Sequence, residues 1–207
     1  MLLDPLPWWR VLAPPLALLV LGVVCRLRPV PLLQIIFRTC LALIGYGMIQ
    51  DQVSARLCPE YFTIGHPPIS GVSAPTLLGI AWGFLGGLPG GILLGIALAL
   101  AMRSGPRPPL AFAAVRQPIL LLLVGMALGT LISGFSAWYN ASVMNIAVGT
   151  PWSIVLAPER QRVFFIVASA HFGTYLSAAF LGLGLCGWAF SRRGMLRAPH
   201  EASRIEQ

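Results

Sequence analysis

Long apolar runs, separated by short polar connections, dominate the pattern of hydrophobic and polar positions in this chain. An α-helix needs about 20 mainly apolar residues to cross the hydrocarbon core of a bilayer. The segments that approach this length are residues 8–25, 32–50, 76–102, 118–138 and 163–190. The pattern predicts an all-α integral membrane bundle of five helices, with residues 1–207 forming a single transmembrane domain.

The first apolar segment is the weakest, because Pro14 and Pro15 lie inside it. Proline is accommodated in a helix only near the start, and a cleaved secretory signal is the competing interpretation for an N-terminal apolar run. Asp4 fits the start of a signal poorly, and Val24 is too bulky to precede the Cys25 of a lipoprotein cleavage site. We therefore predict five spans, and four if the first segment is removed.

Small residues recur every four positions along the last three spans. Helices in a bilayer associate through close backbone approach, so these small-residue rows predict tight packing. The rows are Gly79, Gly83, Gly87, Gly91 and Gly95 in the third span; Gly125, Gly129, Ser133 and Ala137 in the fourth; and Ala170, Thr174, Ala178, Gly182 and Cys186 in the last. Pro89 predicts a kink in the third span. A packing kink is favoured over a broken helix along a transport path, because no ionisable residue lies nearby.

The connection before the last span is unusually apolar. Its apolar stretches at 146–148 and 154–156 are separated by Gly149, Thr150 and Pro151. This pattern predicts an interfacial or re-entrant segment over residues 141–157. A sixth span is the alternative, and it would move the arginine-rich tail across the membrane.

Composition supports a membrane protein and argues against nucleic-acid binding. Hydrophobic residues make up 57% of the chain and charged residues 10%, with a mean hydropathy of +0.81. That leaves too little polar surface for a soluble globule. The net charge of +8 comes from arginines spread in small groups between apolar runs, which is not how a phosphate-binding face is built. The expected partners are the lipid bilayer and, through the small-residue rows, a membrane protein or a second copy of the chain.

The arginines divide unequally between the two sides of the membrane, with ten on one side and four on the other. Positive residues are retained on the cytoplasmic side. The ten are Arg26, Arg28, Arg38, Arg103, Arg107, Arg116, Arg192, Arg193, Arg197 and Arg204; the four are Arg10, Arg56, Arg160 and Arg162. We predict a bacterial inner-membrane protein with its N-terminus outside, its C-terminus in the cytoplasm, and residues 51–66 facing the extracytoplasmic space.

Most of the reactive side chains lie in the sixteen residues from Asp51 to His66. Two of the six acidic residues, Asp51 and Glu60, fall here together with one of the three histidines. Asp51 and Glu60 converge only if the chain turns between them. The Cys58–Pro59 step permits that turn, because a residue before proline avoids helical geometry.

His171 adds a histidine that lies eight residues into the last predicted span, at a depth of about 12 Å. Ionisable groups at such depth face the bundle interior and suggest a function. Two histidines and two carboxylates suit zinc or another divalent metal. We therefore predict a metal site formed by Asp51, Glu60, His66 and His171, with no other cofactor.

A purely structural network is the competing interpretation of the same residues. In it, Asp51 is a helix-end carboxylate, Glu60 pairs with Arg56, His66 is a solvated loop residue, and His171 is hydrogen-bonded to a backbone carbonyl. The chain has no H-E-x-x-H, C-x-x-C or glycine-rich phosphate motif that would decide between the two.

The stretches D-Q-V-S-A-R at 51–56, E-Y-F-T at 60–63 and H-P at 66–67 resemble a signature of small bacterial polytopic membrane proteins. A histidine near the start of the last span, as at His171, is also typical of that group. The resemblance extends from Arg38 to Arg193. It implies that the polar cluster is a working site, but it carries no known activity.

Three functions follow from these features. The first is a metal-dependent, hydrolase-like activity on a lipid-like or periplasmic substrate, with Asp51 or Glu60 as the general base and Arg56 orienting an anionic group. The second is a non-catalytic subunit or scaffold whose small-residue rows bind partner helices. The third is a small transporter, which the lack of embedded acids along a continuous path disfavours. Whether the chain is an enzyme stays open at this point.

Overall fold

The computed structural model describes residues 4–143 and 155–196. In these residues the chain forms long helices joined by connecting segments. The helices are α1 (Trp8–Leu27), α2 (Pro31–Leu57), the short α3 (Glu60–Thr63), α4 (Pro75–Arg103), α5 (Arg116–Ser142) and α6 (Pro158–Met195), with a 3-10 turn at Phe112–Val115 before α5. Five of them are long and apolar enough to cross a membrane. The all-α membrane bundle is confirmed.

The helices extend beyond the apolar runs that predict them. α2 ends at Leu57 rather than at residue 50, and the N–H of Cys58 caps it by bonding to the carbonyl of Ser54. α6 begins at Pro158, since proline suits a first helical position. Asp51 therefore lies inside α2 and not at its end, which corrects one part of the structural-network interpretation.

The glycine row of α4 packs directly on the backbone of α2. A Cβ atom added at Gly87 would lie 2.7 Å from the carbonyl oxygen of Leu43, and one at Gly91 would lie 2.6 Å from the Cα of Cys40. The same close approach occurs at Gly79, Gly83 and Gly95. Only glycine fits at such contacts, so this row brings α2 and α4 together antiparallel along most of their length.

The other two rows are also occupied within the chain. A Cβ at Gly129 of α5 would lie 2.9 Å from the carbonyl oxygen of Gly173 in α6. Gly182 of α6 faces Leu94 of α4 and Leu122 of α5. A partner helix would therefore need a surface other than the glycine faces that hold this bundle together.

Two helix pairs, α2 with α4 and α5 with α6, make up most of the bundle, and α4 meets α6 along a less extensive seam. α1 packs at the edge against α2 and α4. We call one end of the bundle the α3 end. It contains α3, the end of α2 and the starts of α4 and α6. The N-terminal segment reaches the same end, where the N–H of Leu6 donates to the carbonyl of Pro68 at 2.8 Å.

Helix α4 continues without interruption through Pro89, so a broken helix is not observed. The kink predicted at this proline stays a prediction. Most of the interfacial segment predicted over 141–157 lies outside the described residues, as do Arg197 and Arg204.

Arg193 holds the opposite end of the bundle together. Its side chain is fully buried, and its guanidinium donates to the backbone carbonyls of Ala101, Ser104, Arg107 and Pro108 at 2.6–2.9 Å. Carbonyls at a helix end have no partner within the helix. Arg193 supplies those partners for the end of α4 and the connection that follows it.

Candidate functional site

Asp51 and His171 meet in the interior of the bundle. The Nε2 atom of His171 lies 2.9 Å from the Oδ1 atom of Asp51, and both side chains are buried. Asp51 lies two turns before the end of α2 and His171 lies on α6, so α2 and α6 each contribute one member of the pair. The predicted gathering of these two residues, 120 positions apart, is observed.

The hydrogen bonds of His171 fix where its protons lie. Nδ1 lies 2.9 Å from the carbonyl oxygen of Val167, which can only accept, so Nδ1 carries a proton. A second proton must lie between Nε2 and Asp51, because two bare lone pairs would repel at 2.9 Å. The pair we call the Asp51–His171 dyad therefore holds one shared proton, as a carboxylate with an imidazolium or as their neutral forms.

The second carboxylate oxygen of Asp51 is available for chemistry. Oδ1 bonds to His171, and no donor among the described residues reaches Oδ2. Asp51 also lines two cavities in this part of the bundle. The dyad thus presents a carboxylate oxygen to a cavity, while both nitrogens of His171 are used to hold that carboxylate in place.

His66 lies near the dyad and is held in a similar way. Its Nδ1 donates to the carbonyl oxygen of Tyr61 at 2.7 Å, which leaves Nε2 for other partners. The ring of Tyr61 packs between the two histidines, with centroids 4.8 Å from His66 and 4.4 Å from His171. Burial lowers the pKa of His66 and raises the pKa of Tyr61, so both side chains are neutral at pH 7.

Glu60 does not join the dyad. Its two carboxylate oxygens each accept a hydrogen bond from Arg160 at 2.8 Å, and this bond is the main reason that the pKa of Glu60 is lowered. The predicted pairing of Glu60 with Arg56 is wrong. Arg56 instead donates to the backbone and side chain of Gln52 and to Thr76, because it shares a helix face with Gln52.

Cys58 lies beside this ion pair as a buried thiol. Its Sγ donates to Glu60 at 3.4 Å, and burial raises its pKa to about 11. A thiol with such a pKa stays protonated at neutral pH and is a poor nucleophile or metal ligand.

The four predicted metal ligands therefore do not form one shell. Asp51 and His171 touch, His66 lines the same region, and Glu60 is held by Arg160. Within residues 4–143 and 155–196, no group of three or more His, Cys, Asp or Glu side chains is placed to hold a metal ion. A metal at the dyad stays a prediction.

A polar network that the sequence does not reveal lies next to the dyad. The hydroxyl of Thr174 donates to the side-chain oxygen of Gln50 at 2.9 Å and lies 2.5 Å from the hydroxyl of Thr130. The hydroxyl of Tyr46 lies 2.9 Å from Thr130. Each of these residues is unremarkable in sequence, and the only available signal is that Gln50 precedes Asp51 and Thr174 follows His171 by one turn.

Two cavities meet at the dyad. The deep cavity has a volume of about 70 Å³ and is bounded by Leu43, Gly90 and Met126 on the side away from α3. The shallow cavity has a volume of about 100 Å³ and is bounded by Tyr61, Phe62 and His66 near α3. The residues common to both are Asp51, Trp82, Gly86, His171 and Tyr175.

Trp82 carries the unsatisfied donor of this region. Its Nε1–H is buried and has no acceptor in the described part of the chain. Buried donors are nearly always paired in folded proteins. A donor without an acceptor in a wall shared by two cavities therefore indicates a place for a ligand's oxygen or nitrogen atom.

The chain matches no family model, no curated protein sequence and no solved structure with which it was compared. The function is therefore inferred from the geometry of the dyad and its cavities.

Proposed function

We propose that this integral membrane protein is an acid–base enzyme in which Asp51, held by His171, takes a proton from water and passes it to a membrane-resident substrate. The observation that carries the proposal is the buried 2.9 Å hydrogen bond between the two residues at the junction of two cavities. Ionisable groups inside a membrane protein are costly to bury and are typical of functional sites.

The chemistry that this arrangement supports is hydrolase-like. A water molecule in the cavities attacks a carbonyl or phosphoryl centre, its O–H bond breaks, and Oδ2 of Asp51 takes the proton. The bond to the leaving oxygen then breaks, and that oxygen takes the proton from Asp51. His171 is a positioning residue, because its Nε2 holds Asp51 through the shared proton and both of its nitrogens are already bonded.

A divalent metal at the dyad is the second candidate, and the anchoring of the histidines favours it. In both His66 and His171, Nδ1 donates to a backbone carbonyl. In metal-binding histidines the ring nitrogen that does not bind the metal typically donates to a carboxylate, a backbone carbonyl or water. Asp51 and His171 would hold the metal, which would act as a Lewis acid and lower the pKa of a bound water. Two protein ligands are fewer than the three of a typical catalytic zinc site, so His66 would have to move to complete the shell.

The orientation of the site follows from the arginines. The end opposite α3 carries the larger arginine group, including Arg103, Arg107 and Arg116, and such residues are retained in the cytoplasm. We therefore infer that the α3 end, and with it the shallow cavity, faces the extracytoplasmic side of a bacterial inner membrane.

The test of the proposed function compares Asp51→Asn with Asp4→Asn, an exposed carboxylate that serves as the matched control. Both proteins and the wild type are placed in lipid nanodiscs with p-nitrophenyl butyrate and bis-p-nitrophenyl phosphate as probes. We expect Asp51→Asn to lower turnover by about 100-fold or more, as loss of a general base does, and Asp4→Asn to leave it unchanged. Wild-type turnover in Asp51→Asn, or no turnover of either probe by the wild type, would contradict the proposal.

Metal analysis of the same wild-type preparation separates the two candidates. A stoichiometric divalent metal that is lost in His171→Ala supports the metal-dependent form of the reaction. A metal-free protein that still turns over a probe supports the dyad acting alone.

A further inference from the structure

Two glycines of α4 do not take part in helix packing. A Cβ added at Gly86 would meet only the hydroxyl of Tyr175, at 3.6 Å, and one at Gly90 would meet only a methyl group of Leu43, at 3.5 Å. Both are ordinary van der Waals distances. By contrast, Gly87 between them admits no side chain at all.

The space left open by Gly86 and Gly90 is the deep cavity, which both of them line. Gly90 lies one helical turn, about 6 Å, further from the α3 end than Gly86. Leu43, Met126 and Ala178 supply apolar walls along this turn. The missing side chains therefore create a narrow, mainly apolar compartment that runs from the dyad into the bundle.

The two ends of this compartment differ in chemistry. At the end nearest the dyad, Asp51 is 6% exposed and presents Oδ2, and the buried Nε1–H of Trp82 has no acceptor in the described ranges. A group with an oxygen acceptor satisfies Trp82, and a group with a transferable proton satisfies Asp51. At the other end, a branched or polar group would meet the walls of Leu43 and Met126.

The seam between α4 and α6 borders the compartment, since Gly86 of α4 and Tyr175 of α6 both line it. Tyr175 of α6 is 54% exposed, and its hydroxyl lies across the seam from Gly86, which is itself exposed. Entry from the lipid along this seam would not require a molecule to cross the helix pairs that the glycine rows hold together.

We propose that the substrate is a single-chain amphiphile whose polar group lies between Asp51 and Trp82 and whose unbranched apolar tail lies along Gly86 and Gly90. This inference rests on the proposed function, since it names the class of molecule on which the dyad acts. The shallow cavity, bounded by His66, receives the remainder of the polar group.

The test observes the deep cavity directly through the methyl group of Met126. Wild-type protein labelled with ¹³C at its methionine methyls is placed in lipid nanodiscs and titrated with n-hexanol, and Met126→Leu identifies the resonance. We expect a saturable shift of the Met126 methyl with n-hexanol and none with the branched isomer dimethylbutanol, which is too wide for the space beside Gly90.

Two leucine variants complete the test. Gly90→Leu fills the compartment, so we expect it to weaken the apparent Kd for n-hexanol at least tenfold. Gly187→Leu, at an exposed α6 position with no neighbour within 4 Å, should leave the Kd unchanged. If thermal unfolding shows that Gly90→Leu is misfolded, Gly90→Ala replaces it, with an expected weakening of a few-fold.

Loss of the tail compartment and loss of the acid–base role of Asp51 give different experimental results. No saturable Met126 shift, an equal shift with the branched isomer, or an unchanged Kd in the folded Gly90 variant overturns the tail compartment, whatever Asp51→Asn does to turnover. If Asp51→Asn keeps full turnover and still binds n-hexanol normally, the tail compartment is supported. The acid–base role of Asp51 is then contradicted.

Discussion

Single residues set the chemistry of this site through their hydrogen bonds to backbone. Val167 and Tyr61 each place a carbonyl against the Nδ1 atom of a histidine, so the rings of His171 and His66 present Nε2 away from their own segments. Asp51 meets one of these nitrogens, and Tyr61 fills the space between the rings. The result is one shared proton at a defined place inside the bundle.

The lowered pKa of His66 predicts how stability depends on pH. Unfolded His66 takes up a proton near pH 6.5, whereas buried His66 stays neutral to lower pH. The unfolded state thus binds more protons below pH 6.5, so the contribution of His66 to stability is complete above that pH and is lost as the pH falls.

The expected result is a His66 titration midpoint below 6.5 by NMR, and a smaller loss of thermal stability between pH 7 and pH 5 in His66→Gln than in the wild type. A midpoint at or above 6.5 would show that His66 is solvated. The pKa of Glu60 is also lowered, so the contribution of Glu60 to stability is lost only at more acidic pH, below the range from pH 7 to pH 5 in which His66 is tested.

Arg193 provides a second residue-scale prediction. Arg193→Leu removes the donor from four partly buried backbone carbonyl oxygens, which we expect to lower the free energy of unfolding by about 3 kcal/mol. Arg192→Leu, at the exposed neighbouring position, is the control. Unfolding by denaturant in mild detergent measures both, and equal stability of the two variants would contradict the anchoring role.

Sequence reasoning reached some of these residues and missed others for a physical reason. Asp51 and His171 stand out because charge is rare and costly within apolar runs. The partner of Glu60 could not be predicted, since Arg160 lies 100 positions from Glu60 in sequence, whereas Arg56 lies only four positions from it. In sequence, Arg193 resembles the other arginines that flank membrane spans on the cytoplasmic side, because its neighbouring residues do not indicate that its guanidinium points into the bundle.

At the scale of helices, adjacent glycines on α4 have opposite roles. Gly87 lies against the backbone of Leu43, whereas Gly86 faces the cavities. We predict that Gly87→Ala forces α2 and α4 apart and costs about 1–3 kcal/mol, as overpacking does. Gly86→Ala should leave stability unchanged or raise it, because alanine is the better helix former.

Thermal unfolding of the two variants in the same detergent measures this contrast. Their positions are one residue apart, so differences in expression, hydrophobicity and membrane depth largely cancel. Equal destabilisation by both substitutions would show that Gly86 is also a packing residue and that the cavity closes in the membrane.

The existence of each long helix could be predicted, because an apolar run of that length has few other solutions in a bilayer. The helix ends could not, since polar stretches such as residues 51–57 continue α2 beyond the apolar run. The small-residue rows predicted close packing, but their partners depend on which face each helix turns to its neighbours. That information lies in the three-dimensional arrangement.

For the bundle as a whole, we infer that the α3 end faces the extracytoplasmic side. Ser70 lies at the α3 end and Ser104 at the opposite end, and both are exposed. We predict that a membrane-impermeant maleimide labels Ser70→Cys in intact spheroplasts and labels Ser104→Cys only after permeabilisation. Native Cys25, Cys40 and Cys58 are buried, and the unmodified protein serves as the background control.

The reverse labelling pattern would place the shallow cavity in the cytoplasm. It would leave the dyad in place but change the compartment from which water and polar products are exchanged. Labelling of both variants in intact cells would contradict the five-span arrangement.

The proposed chemistry depends on the shared proton of the Asp51–His171 dyad, and ¹⁵N NMR of histidine-labelled protein in bilayers at pH 7 detects that proton. We predict that both ring nitrogens of His171 are hydrogen-bonded, and that Asp51→Asn shifts the Nε2 resonance of His171 while leaving the ring resonances of His66 largely unchanged. An Nε2 resonance typical of a bare nitrogen in the wild type, or one that Asp51→Asn does not move, would contradict this prediction.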